Sequence, residues 1–202
     1  MEQAKLSAHS IGKAEVHLAE RDPVMAGLID QLGPCRLAAQ PYRPFQTLAN
    51  SIVSQQLSSK AAGSIKSRIR KVIGGQFSPS RVYSACEEDL QGAGLSRRKV
   101  TYIKELARRV LAKEIDFAKL RQSPTDHAVE CLLEIPGVGP WTAHMFLIFG
   151  LKHPNVLALD DAGLRRATKL LYRNAELETV SERWHPYCSV ASWYLWRHLD
   201  SQ

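Results

Sequence analysis

The stretch from Leu132 to Asp161 constrains this chain more than any other. It reads Leu132-Leu133-Glu134-Ile135-Pro136-Gly137-Val138-Gly139-Pro140-Trp141-Thr142-Ala143, then an apolar run, then Asp160-Asp161. Pro136 removes a backbone donor and restricts Ile135 to extended angles, so a helix must stop there. Gly137 and Gly139 permit φ > 0 and leave the backbone uncovered. The result is a tight hairpin between two helices, with several N–H groups beside the positive end of the second. Such a surface suits one phosphate of a polyanion. A plain helix–turn–helix corner with no ligand has the same local chemistry, and a lone Gly-x-Gly does not separate the two.

The rest of the chain narrows the choice. At 202 residues it can bury a core as one domain or two closely packed lobes. The net charge is +7, which favours a polyanionic partner but serves solubility equally well. Cys35, Cys86, Cys131 and Cys188 are scattered with no Cys-x-x-Cys pair, which argues against a zinc ribbon or an iron–sulfur loop. Free thiols in a reducing compartment account for them. No apolar signal segment opens the chain and no run reaches transmembrane length, so a soluble intracellular protein is expected, with no membrane partner.

Taken in order, Met1 to Glu20 is polar and poorly patterned. Asp22-Pro23 caps a helix that carries Val24, Met25, Leu28, Ile29 and Leu32 and stops at Gly33-Pro34. Phe45 to Ile73 reads as two helices around Ser51-Ile52-Val53-Ser54-Gln55-Gln56-Leu57-Ser58-Ser59-Lys60. The adjacent glutamines suit a solvated or core-edge position. Ser78 and Ser96 are cap candidates. Leu95-Ser96-Arg97-Arg98-Lys99 opens a basic helix whose charges suit a solvated face. Ser123-Pro124-Thr125-Asp126 caps the helix that leads into the hairpin. Trp141 to Leu151 should be a buried helix. Asp160-Asp161 starts another, with Leu164, Leu170 and Leu171 inward, and the last helix spans about Ser189 to Leu199. Alternation never persists, so the fold class is all-α.

Ser-Gln-Gln-Leu-Ser, Ile-Pro-Gly-Val-Gly-Pro-Trp-Thr-Ala, Asp-Asp and Trp-Tyr-Leu-Trp, in this order from about Phe45 to Leu199, resemble the helix–hairpin–helix DNA glycosylases. The nearest branch is the 3-methyladenine DNA glycosylase II, or AlkA-type, alkylbase enzymes in their compact form without an N-terminal β domain. The resemblance implies a two-lobed HhH-GPD fold. A middle lobe of about 46–154 would hold the hairpin at 134–140, and about 1–45 plus 155–202 would form the second lobe. It implies a monomer that acts on double-stranded DNA containing alkylated bases, in the cytoplasm or nucleoid if the protein is bacterial and in the nucleus if it is eukaryotic.

The implied reaction is hydrolysis of the N-glycosidic bond to an alkylated purine of the 3-methyladenine or 7-methylguanine type, as in base-excision repair. Asp161 matches the catalytic position, where a carboxylate would stabilise an oxocarbenium-like sugar or activate water; capping is left to Asp160. Trp141 and Trp196 match the walls of the base pocket, while Trp193 and Tyr194 suit the core. Gln56 matches the residue that fills the gap left by a flipped base, with Leu57 as the other wedge, and Ser58 matches a minor-groove probe. Gly137 and Gly139 would meet phosphate. The carbonyls of Leu133, Ile135 and Val138 match a K+ or Na+ site at the hairpin; the chemistry itself calls for no cofactor. Trp141 stands where bifunctional relatives carry a lysine, which implies no lyase step and an abasic product.

Two departures stand out. No proline closely precedes Asp160-Asp161, where the run is Val156-Leu157-Ala158-Leu159, and Met145 and Ala162 stand where some relatives have tyrosines. The first suggests a less rigid approach to the catalytic helix and the second a less aromatic pocket. Two other functions stay open: a non-catalytic DNA-binding module in which Asp161 only caps, and a glycosylase for an uncharged lesion such as uracil or hypoxanthine. The latter needs leaving-group activation, for which His144 is the nearest candidate.

Overall fold

The computed structural model describes residues 5–39 and 41–201. They form thirteen α-helices and, among the described residues, no strand: α1 (Ala8–Arg21), α2 (Pro23–Leu32), α3 (Pro44–Ser54), α4 (Ser59–Val72), α5 (Pro79–Ser84), α6 (Glu87–Gly92), α7 (Arg97–Leu111), α8 (Phe117–Gln122), α9 (Thr125–Leu133), α10 (Pro140–Phe146), α11 (Ala162–Leu171), α12 (Leu177–Ser181) and α13 (Cys188–Asp200). A π-helical turn, Leu147–Leu151, extends α10.

Local chemistry explains most boundaries. Asp22 Oδ1 accepts from the N–H groups of Val24 and Met25 at 2.9 and 3.3 Å, and Pro23 occupies the first position of α2, where no donor is needed. Ser78 and Ser96 cap α5 and α7. The Ser123-Pro124-Thr125-Asp126 cap is not formed. No side chain caps α9; Ser123 instead donates to the Lys119 carbonyl, and Thr125 faces His153 at 3.3 Å.

The polar N-terminal stretch is a helix from Ala8 onward; residues 1–4 lie outside the described part. Ser7 and Ser10 bond each other's backbone N–H reciprocally, a capping box with serine in the place of glutamate. Its buried stripe is only Ile11, Ala14 and Leu18, too sparse to stand out by periodicity, and tertiary contact completes it.

Two groups of helices share the core. α1 and α2 pack on each other and on α13, which also packs on α11, so the two ends of the chain lie together. Asp22 fastens them: its Oδ2 accepts from Tyr172 Oη and Trp184 Nε1, both at 2.9 Å. The Tyr194 hydroxyl, on α13, donates to Glu15 at 2.7 Å and to the Gly33 carbonyl at 3.0 Å, so Tyr194 is core as expected, whereas Trp193 is half-buried. In the middle of the chain α3 packs on α4, α7 and α10, with α5 on α7 and α9 on α10. The interior includes Phe45, Leu48, Ile52, Ile103, Leu106, Leu132 and Phe146.

Candidate active site

The hairpin between α9 and α10 is built from two backbone bonds, Ile135 N–H to Leu132 C=O at 3.1 Å and Val138 N–H to Ile135 C=O at 3.0 Å. Its two glycines serve different ends. Gly137 has φ = +86°, and a Cβ there would lie 2.3 Å from the Tyr102 ring, so no other residue fits. Gly139 does not use φ > 0, contrary to expectation. It sits at φ = −96° before α10, with open space where a Cβ would be. What its bare backbone achieves is exposure of the N–H groups at the start of α10.

The glutamine pair lies directly across from this hairpin, and the structure separates the two residues. Gln55 Nε2 donates to the Gly137 carbonyl at 2.8 Å and to Thr142 Oγ1 at 3.2 Å, joining the end of α3 to the hairpin. Gln56 adopts φ = +57° and projects outward. Leu57 beside it is also exposed, and Ser58 accepts from Ala61 N–H at 3.3 Å as the cap of α4. Lys99 holds this turn from below. Its Nζ donates to the carbonyls of Val53 at 2.9 Å and Gln55 at 2.6 Å. The expected solvated face of α7 is therefore partly committed: Lys99 closes the end of α3, and the Arg98 guanidinium bonds the Tyr102 hydroxyl. Gln56, Arg98, Lys99, Gly137, Gly139 and Trp141 line one cleft of about 550 Å³.

Asp161 is joined to the wall of this cleft through Trp141. Its Oδ2 accepts from Trp141 Nε1 at 2.8 Å; its Oδ1 accepts from Trp196 Nε1 at 3.0 Å and from Leu164 N–H at 2.8 Å. The last bond makes Asp161 the N-cap of α11. This corrects the assignment of capping to Asp160, which is exposed and precedes the cap. Capping and a functional role thus meet in one carboxylate. With 9 % of its surface accessible, Asp161 is shielded yet reachable, and three donors fix the orientation of its two oxygens. Trp141 is 47 % exposed and forms part of the cleft wall, an exception to the burial of its helix. Trp196 is half-buried against Phe149, with ring centroids 5.6 Å apart.

The approach to Asp161 is held despite lacking a nearby proline. Val156 and Ala158 are buried, Val156 N–H donates to Ser189 Oγ at 3.0 Å, and Asp161 N–H donates to the Ala158 carbonyl at 3.0 Å. Beyond it, Leu164 points inward as expected, but Leu170 is 57 % exposed. Met145 is buried and Ala162 exposed. His144 is half-buried; burial depresses its pKa against the opposing charge of Asp160. The arrangement can hold a negative charge at one point beside a cleft walled by an indole, a glutamine and two cationic side chains.

The similarity of this chain to known proteins agrees with that geometry. The DNA-3-methyladenine glycosylase 1 of Schizosaccharomyces pombe is 31 % identical over 93 % of this chain and 87 % of its own. The crystal structure of DNA-3-methyladenine glycosidase from Bacillus halodurans has a TM-score of 0.79 at 36 % identity, covering 91 % of this chain and 88 % of that one. The Schizosaccharomyces pombe 3-methyladenine DNA glycosylase Mag1, solved in complex with abasic DNA, has a TM-score of 0.76 at 30 % identity, covering 93 % and 97 %. The sequence profile of the HhH-GPD superfamily base excision DNA repair proteins matches residues 49–185. With the hairpin, the paired helices and the buried aspartate in one arrangement, the chain belongs to the HhH-GPD superfamily of base excision DNA repair proteins.

Proposed function

We propose that this protein is a DNA glycosylase of base-excision repair that hydrolyses the N-glycosidic bond of alkylated purines and leaves an abasic site without cutting the strand. The observation that carries this reading is the Asp161 carboxylate, held between two indole N–H groups and a helix N-terminus and tied to the cleft by the Trp141 indole. An alkylated purine bears positive charge and leaves readily. The protein therefore needs to supply a fixed anion for the oxocarbenium-like sugar rather than a proton donor for the base. Asp161 is that anion, and because both indoles donate to it, it is oriented before substrate arrives. Trp141 and Trp196 would face the extruded base, where an aromatic surface attracts a cationic ring. The indole of Trp141 has no amine with which to attack the sugar, which supports the monofunctional reading.

DNA would be gripped by the Gly137 and Gly139 amides, with Gln56 filling the gap, Leu57 beside it and Ser58 toward the minor groove. The division into a middle lobe and a lobe made of both chain ends is supported by the packing of α1 and α2 on α13. A monovalent cation, K+ or Na+, would be held by the carbonyls of Leu133, Ile135 and Val138. In support, no hydrogen bond among the described residues ends on the first or third of these, and the second accepts only from Val138 N–H. The ion would supply positive charge toward a phosphate. One protein unit encloses one base, so a monomer is the working form.

The test is incubation of methylated duplex DNA with the protein and with Asp161→Asn. The variant keeps an oxygen to cap α11 but sets an amide against an indole N–H. Release of methylated purines should fall by about 10²–10³-fold, the scale of a lost electrostatic contact, with DNA binding retained. Strand breaks should appear only after alkali. Near-wild-type release by folded Asp161→Asn would remove the catalytic assignment, and breaks before alkali would remove the monofunctional one.

A further inference from the structure

The turn that carries Gln56 is closed locally by one bond, Leu57 N–H to the Ser54 carbonyl at 3.2 Å, and is braced from outside. Gln56 has φ = +57°, a left-handed conformation that costs a non-glycine residue roughly 1–2 kcal/mol. Besides that bond, two residues tie the turn to distant elements. Gln55 reaches forward to Gly137 and Thr142, and Lys99 on α7 reaches up to the carbonyls of Val53 and Gln55. These carbonyls lie at the C-terminal end of α3, where orphan acceptors and the negative end of the dipole favour a cation. Lys99 makes no ion pair with a carboxylate among the described residues, so the ammonium is balanced by backbone dipoles alone. An ammonium has three donors, of which the carbonyls take two. Lys99 also lines the cleft.

We infer that Lys99 is a positioning residue that locks the Gln56 turn in its left-handed form and spends its third donor on a phosphate of the DNA strand in the cleft, so that backbone contact and insertion of the Gln56 side chain depend on one ammonium. This inference rests on the glycosylase reading for the role of Gln56, but not on Asp161. Arg98, bonded to Tyr102 beside the hairpin, is not in a position to replace it, because its contact is to α7 and not to the α3 carbonyls. Without Lys99 the two carbonyls at the end of α3 lose their shared donor, and the single Leu57 N–H to Ser54 bond is left to hold Gln56 against the commoner φ < 0 conformations.

The experiment compares wild type, Lys99→Met and Lys99→Arg for binding to an intact duplex and to the same duplex with one abasic site, over a range of salt. Lys99→Met should lose about tenfold in preference for the abasic duplex, and its slope of log K against log salt should fall by about 1, the signature of one lost phosphate contact. Lys99→Arg, which keeps the charge, should recover the slope. A merely structural lysine would lower Tm and leave both the abasic preference and the slope at wild-type values, and that result in a folded Lys99→Met protein would overturn the inference. If Lys99→Met fails to fold, wild-type slope and abasic preference in Lys99→Gln would overturn it equally. Loss of the slope without loss of abasic preference would remove the turn-locking half. Absence of base release by wild type on any methylated duplex would defeat the glycosylase reading while leaving these binding outcomes readable.

Discussion

Single residues at the hairpin show how far one atom decides a site. Gly137 and Gly139 look alike in the sequence, yet only Gly137 is required by conformation and by the Tyr102 ring behind it. Gly137→Ala should destabilise the fold by about 2–4 kcal/mol, adding left-handed strain to overpacking. Gly139→Ala should leave the urea midpoint nearly unchanged and weaken duplex binding, because its methyl group covers N–H groups and meets no protein atom. Equal losses of stability from the two would contradict this division. Asp161 teaches a related point. Its reading as a cap and its reading as a functional carboxylate competed in the sequence, but the two oxygens divide the tasks, Oδ1 toward Leu164 N–H and Trp196, Oδ2 toward Trp141.

At the scale of elements, the site depends on ties between helices distant in the chain. Gln55, on the turn after α3, fastens that helix to the hairpin 82 residues later. Gln55→Ala should cost about 1–3 kcal/mol, since it strips a partner from buried Thr142 and from the Gly137 carbonyl; calorimetric melting checks it, and duplex affinity should fall with it. Helices with dense apolar stripes or Asp-Pro and Ser-Pro starts, such as α2 and α5, were legible in the sequence. α1 was not, because three buried residues at small contact area give little periodic signal. Leu170 was placed inward by the same periodicity that placed Leu164 correctly. The buried face of α11 is Leu164, Ala167 and Thr168, and Leu170 falls outside it.

At the scale of the whole molecule, two buried groups tie fold to conditions. Asp22 serves the start of α2 and receives Tyr172 and Trp184 from the other end of the chain. Burial first, and then the Asp22 charge, drive the Tyr172 pKa far upward. Asp22→Ala should cost about 3–5 kcal/mol, a lost cap plus two buried donors left unpaired, read as a lower urea midpoint. His153 adds a pH dependence. Burial, then the Lys5 and Arg121 cations, lower its pKa to about 4 from 6.5. The unfolded chain therefore binds more protons between these values, and stability rises with pH across that window. On acidification from pH 6.5 to 4 the His153 contribution, roughly 3 kcal/mol at full size, should be lost. His153→Gln should flatten the curve of urea midpoint against pH over this range; an unchanged curve would assign the acid sensitivity to other groups.

What the sequence determined by itself was local or repetitive: helix starts written as caps and prolines, the all-α class, the hairpin, and the order of motifs by which the family is recognised. These are legible because each depends on neighbours within one or two helical turns. The tertiary structure alone decided which glutamine of the pair is free, that Lys99 is a clamp rather than part of a solvated face, and that two tryptophans 55 residues apart donate to one carboxylate. Charge and hydrogen-bonding capacity are properties of a residue type, but a partner is a property of position in space. No local pattern records that Val53, Gln55 and Lys99, or Trp141, Asp161 and Trp196, will meet.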